Sequence, residues 1–131
     1  MNTLELKKAI ETFIKTKATR VYQRKAPAKA SFPYVVWNLP SSDSGYSERE
    51  DIILEVDIWD NSNLTIVIDT LTGNIDGDGD IKNPSGLHRK NIFSDGVLSA
   101  KIYRTNRYEI EDEDKTLERR QLRYKIQTYL T

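Results

Sequence analysis

The C-terminal segment constrains the fold of this chain most. Over residues 119–130, Leu122, Tyr124, Ile126, Thr128 and Leu130 fall on one side of an extended backbone, and Arg119, Gln121, Arg123, Lys125 and Gln127 fall on the other. Side chains of a strand point to alternate faces, so this pattern predicts a strand with one buried and one wet face. Residues 50–59 repeat it with the charge reversed: Ile52, Leu54, Val56 and Ile58 alternate with Asp51, Glu55 and Asp57. Strands of this kind belong to antiparallel sheets, whose apolar face must be covered by another layer.

Helices supply that cover. Asn2 and Glu5 fit a capping box, after which Leu6, Ile10, Phe13 and Ile14 form one stripe that ends near Lys17. A short strand is expected over 20–23. The aromatic and β-branched residues 32–38 read as another, closed by Pro40 and followed by a loop over 41–47. Asn61-Ser62-Asn63 offers a cap, and Leu64, Val67, Ile68, Leu71 and Ile75 recur at helical spacing, although the run Thr65-Ile66-Val67-Ile68 would suit a strand equally. Residues 76–90, with their Gly and Asp, predict a long loop that is mobile until assembly orders it. A strand over 98–110, an acidic turn over 111–114 and the final strand complete the chain. The expectation is a single α+β domain over 1–131, with a mostly antiparallel sheet and two helices packed on one face.

Composition narrows the chemistry. Leu, Ile, Val and Phe number 33 of 131 residues, enough for a core. The absence of cysteine excludes disulfides, thiolate metal sites and a cysteine nucleophile. His88 is the one histidine, which excludes a two-histidine zinc site, and it is expected to be exposed. No apolar run approaches the roughly 18 residues that span a bilayer. Glu5, Lys7, Lys8 and Glu11 interrupt any signal-peptide layout.

Twenty basic and twenty acidic residues give zero net charge, which argues against a nucleic-acid binder with a dominant positive field. The zero is made of blocks. Residues 15–29 hold six cations and no acid, and residues 43–60 hold seven acids against Arg49 alone. Asp51, Glu55 and Asp57 form an acidic row, and Arg119, Arg123 and Lys125 a basic one. If the two strands are neighbours, the rows pair within one subunit. If they lie apart, the basic face of one copy can meet the acidic face of the next, and this second arrangement is the expectation.

Candidate catalytic patterns are few. Asp76-Gly77-Asp78-Gly79-Asp80 opens like a calcium loop, but Ile81 and Leu87 stand where glycine and a bidentate glutamate are needed. Asp57 with Glu113-Asp114-Lys115 can be set against a magnesium nuclease pattern, but the latter three fall in a turn rather than on a strand beside the aspartate. Arg119, Arg123 and Lys125 with Tyr129 could line a single-stranded nucleic-acid groove, with one aromatic to serve it. No phosphate-cradling glycine motif or nucleophile elbow is present. No catalytic residue, cofactor or metal is expected.

The layout resembles the tail completion family of long-tailed bacteriophages and prophages, which includes tail terminators and tail-to-head joining proteins. An amphipathic N-terminal helix leads to Arg20-Val21-Tyr22, and a Pro-containing loop to Phe32-Pro33-Tyr34-Val35-Val36. The strand Ile53-Leu54-Glu55-Val56-Asp57-Ile58-Trp59-Asp60 runs straight into a helix, and two long strands end the chain. The resemblance covers nearly the whole length through loose hydrophobic motifs. The second helix is more β-branched than the family's, and residues 76–90 look longer. It implies a structural virion protein made in the bacterial host cytoplasm. Such a protein caps the tail tube as a ring, most often a hexamer, and meets the tail tube protein and the head connector. It implies no enzyme activity, no membrane and no sequence-specific nucleic acid as partner. A head-closure protein or other small phage assembly module is the alternative, and a metal-dependent nuclease a remoter one.

Overall fold

The computed structural model describes residues 4–43, 49–62, 64–94, 98–114 and 116–129. Those residues form α1 (Leu4–Lys15), β1 (Val21–Gln23), β2 (Tyr34–Asp43), β3 (Arg49–Asp60), α2 (Thr65–Asp76), β4 (Asn91–Ser94), β5 (Leu98–Glu111) and β6 (Glu118–Tyr129). The described strands make one six-stranded sheet in the order β1-β2-β3-β6-β5-β4. Every neighbouring pair is antiparallel except β1 and β2. Residues 24–33 carry the chain back along the edge, so those two strands point the same way. The architecture is α+β with a mixed sheet.

Strand registers assemble the core row by row. Val21, Val35 and Ile58 stand side by side, then Trp37, Val56 and Leu122, then Leu54 and Tyr124, then Ile52, Ile126 and Ile102. Leu6, Ile10 and Ile14 of α1 and Ile68 and Ile75 of α2 join the same buried cluster. Both helices therefore cover one face. Helix α1 touches β1 and β4, which are opposite ends of the strand order, so the sheet curls around it. Each buried Leu or Ile contributes about 1.5–3 kcal/mol by leaving water.

Several expectations change in detail. Phe13 sits at the border of the core, half-buried, with the ammonium groups of Lys17 and Lys90 5.8 and 4.4 Å from its ring centroid. Pro40 does not end its strand. It lies where the β2–β3 register shifts between Asn38 and Ser41, beyond the reach of β1, so its missing N–H leaves no partner unserved. Strand β4 was not expected: four residues are too few for alternation to stand out, and Ile92 is its one side chain in the core cluster. Helix α2 turns Ile68, Thr72, Ile75 and Asp76 inward, while Leu64, Ile66 and Val67 are 67%, 68% and 42% exposed. Leu64 occupies its cap position without a side-chain cap, and Ser62 Oγ accepts the Leu64 N–H at 3.1 Å. Asn2, Asn63 and Leu130 lie outside the described residues.

The loop expected over residues 76–90 is tied to the rest of the fold at both ends. Leu87 is wholly buried. The Leu87 and His88 N–H groups donate to the Ile75 and Asp76 carbonyls at 2.8 and 3.0 Å. Arg89 donates to Ile102 at 2.7 Å, and Ile102 to Lys90 at 2.9 Å, which ties the loop's end to the edge of β5. Its two ends cross so closely that a Cβ on Gly77, at φ +83°, would lie 2.1 Å from the Gly86 nitrogen. Glycine at both positions permits the crossing. Composition suggested disorder because it averages over Leu87, whose burial offsets part of the ordering entropy.

Candidate functional site

The outer faces of β3 and β6 carry the candidate assembly residues, and the fold makes these strands neighbours. Glu55 pairs in register with Arg123 and Asp57 with Gln121. Arg123 Nη2 donates to Glu55 Oε1 at 2.7 Å, Lys125 Nζ lies 3.3 Å from Asp51 Oδ2, and Arg119 Nη2 donates to Asp57 Oδ1 at 2.8 Å. Asp51, Glu55, Asp57, Arg119, Arg123 and Lys125 thus meet one another inside one subunit. The expectation that the rows lie apart is corrected: the complementarity on which a contact between copies was argued is satisfied internally. The cause is the return of β6 beside β3, a pairing of residues about 70 apart that periodicity does not reveal.

Asp57 accepts three side-chain hydrogen bonds in the ladder. Its Oδ1 accepts Arg119 Nε at 3.1 Å, Arg119 Nη2 at 2.8 Å and Gln121 Nε2 at 3.0 Å. The Arg119 guanidinium also lies 4.8 Å from the Trp59 ring centroid, and Trp59 stacks on Tyr34 at 6.3 Å. Phe32 and Tyr22 extend this aromatic group, at 5.1 and 6.1 Å from Tyr34. Burial raises the Tyr34 phenol above its ordinary pKa; Asp112 adds to the shift and Arg119 opposes it. Cations of this face already hold carboxylates, so they offer little free positive charge to a nucleic-acid strand.

A second polar cluster lies within the concave side. Tyr124 donates to Asp76 Oδ1 at 2.8 Å, and Arg104 Nη1 donates to Asp76 Oδ2. Burial, reinforced by the Asp76 charge, raises the Tyr124 phenol far above its ordinary pKa. His88 is half-buried rather than exposed, and its Nδ1 accepts the Arg104 N–H at 2.9 Å. Burial lowers its pKa, the Asp76 charge opposes this, and Arg104 and Arg89 add to the lowering. These contacts lock α2, the following loop and β5 together.

The two metal patterns are drawn into local structure. Asp76 turns inward to Tyr124 and Arg104. Asp78 Oδ1 accepts the Asp80 and Ser85 N–H groups, both at 3.0 Å, and Asp80 Oδ1 the Lys82 N–H at 3.3 Å. Asp114 Oδ1 accepts the Thr116 N–H at 2.9 Å and its hydroxyl at 2.7 Å. Those bonds hold the Asp114 carboxyl below its ordinary pKa. Lys115 lies outside the described residues. Among the described residues no group of three or more His, Asp or Glu side chains is placed to hold a metal ion.

Two further features remain. Arg120, with its side chain 5% exposed, lies 3.1 Å from Asp69, 3.3 Å from Glu118 and 3.6 Å from Glu109. Burial pulls its pKa down, but the hydrogen bonds to Glu118 and Asp69 and the acidic charges leave it raised. Helix α2 and the α1–β1 turn enclose a groove of about 410 Å³ lined by Ala18, Pro33, Ile66, Val67 and Leu71. Sequence reading missed this surface. Its signal was the β-branched run from Thr65 to Ile68, which marks a helix with apolar side chains on two faces.

No protein-family model and no curated protein matches the sequence. Among solved structures, a chain of the virion of a native gene transfer agent particle has the same fold, with a TM-score of 0.62 at 11% sequence identity. The superposition covers 91% of this chain and 93% of that one.

Proposed function

We propose that this chain is a structural, non-catalytic virion protein that caps the tail tube of a phage-like particle. In this reading it forms a ring, with six copies as in the family it resembles, and joins the tube to the head connector. The observation that carries the reading is the fold shared with a gene transfer agent virion chain over 91% of this chain. The order of helix, strands, helix and two long strands supports the finer assignment to the head–tail junction. The outer-face ladder and the Asp76 cluster act as structural braces in this reading, because each charged group is held by another part of the same chain.

The test is deletion of the gene from the particle that encodes it, with electron microscopy of the lysate and gold labelling of a tagged copy. Separate heads and tails of irregular length, with label at the junction of complemented particles, are expected. Joined, normal particles from the deletion strain, or purified particles without label, would sink the reading. Label on the head side with tails of normal length would replace tail capping by head closure.

A further inference from the structure

We propose that the α2 groove and the β5–β6 turn are the two halves of one contact between copies of this chain. The turn of one copy seats against the groove of the next. This names the surfaces that join the ring proposed above, and it rests on that reading only for the closure of the contact.

Helix α2 is apolar on two sides. Ile68 and Ile75 fill the core, while Ile66 and Val67 are exposed and line the groove. A helix that is apolar all round is normally covered all round, and monomers seldom leave contiguous apolar surface in water. Lys17 and Arg20 form the charged rim of the groove, and no acidic residue lines it. Neither cation has a carboxylate partner among the described residues. Lys17 lies 5.8 Å from the Phe13 ring centroid, and Arg20 donates to the Ser31 and Phe32 carbonyls at 2.9 and 2.8 Å.

The complement stands on the same chain. Ile110 and Leu117, both half-buried, flank the β5–β6 turn in a hollow walled by Glu109, Glu111, Asp112, Glu118 and the Arg120 guanidinium, so that acid outnumbers base four to one. Glu109 and Glu118 lean toward Arg120, whereas Glu111 is exposed and has no ion pair among the described residues. An apolar pair beside Glu111, an acid unpaired among the described residues, thus matches an apolar groove rimmed by base. Opposite charges around an apolar centre set the register of a contact and speed its formation. A second copy is the occupant because this chain carries both members of the match. The two surfaces differ, so each copy can offer its turn to one neighbour and its groove to another. Such a heterologous contact closes into a ring or continues as an open chain.

The experiment is sedimentation velocity of the full chain across a concentration series at low and high salt, with negative-stain images. Ile66→Asp, Lys17→Glu, Glu111→Lys and the Lys17→Glu/Glu111→Lys double variant are compared, after circular dichroism shows each to be folded. The parent is expected to associate, and less so at high salt. Ile66→Asp should weaken association by at least about tenfold. Each charge reversal should weaken it, and the double variant should recover part of the loss. A parent that stays monomeric throughout overturns the proposal. A ring that every variant forms like the parent also overturns it, while leaving the ring reading intact. Open chains abolished by Ile66→Asp uphold the contact and defeat the ring.

Discussion

Tyr124, in the middle of β6, donates its phenol to Asp76 in the last turn of α2 at 2.8 Å, and both residues are buried. One bond therefore couples one of the sheet's two central strands to the helix that covers it. It also fixes the residue from which the long loop departs. Tyr124→Phe keeps the ring's packing and removes one donor from a buried carboxylate. The expected loss is about 1–3 kcal/mol in urea unfolding, the usual penalty for an orphaned buried acceptor. A loss below about 0.5 kcal/mol would show that Arg104 alone satisfies Asp76.

His88 makes stability depend on pH in a definite direction. Its folded pKa is lowered by burial, against Asp76 and with Arg104 and Arg89, so the unfolded chain takes up a proton first. Stability is then full above the unfolded pKa of about 6.5 and falls as pH drops through it toward the folded value, where it levels off. Protonation at Nδ1 would also displace the Arg104 N–H that this atom accepts. His88→Asn places an acceptor near the same point without titrating. Denaturant midpoints of parent and variant should diverge between about pH 7 and pH 5. Parallel curves would assign the acid sensitivity to other groups.

Helix α1 offers a graded test of burial. Ile10 is fully buried, whereas Phe13 lies at the border of the core beneath two lysines. Ile10→Ala should lower stability by about 2–5 kcal/mol. Phe13→Ala should fall short of the roughly 3–5 kcal/mol typical of a buried phenylalanine. The opposite order in equilibrium unfolding would place α1 in another orientation on the sheet.

The charge ladder predicts a stability effect within one subunit. Glu55→Lys and Arg123→Glu should each lower the unfolding free energy at low salt, and the two together should recover most of it. Because Arg123 is 40% exposed, screening keeps the pair's contribution to about 0–1 kcal/mol. A double-mutant cycle with no coupling, at low and at high salt, would mean that solvent has separated the pair.

What the sequence by itself determined is what periodicity records. The inward sets of β3 and β6 and the stripe Leu6, Ile10 and Ile14 stand where alternation and helical spacing place them. Those signals are local, since each depends on residues within one element leaving water on one side. Only the tertiary structure decided which strands are neighbours, because pairing between residues about 70 apart leaves only complementary charge in the two segments, which fits a contact within a subunit and one between copies equally. That placement turned Asp51, Glu55 and Asp57 toward Lys125, Arg123 and Arg119 within a subunit. It also buried Leu87, and so anchored a loop whose glycines and aspartates read as mobile. The same placement left Ile66 and Val67 outside the core, since a helix laid on a sheet can turn only one side inward.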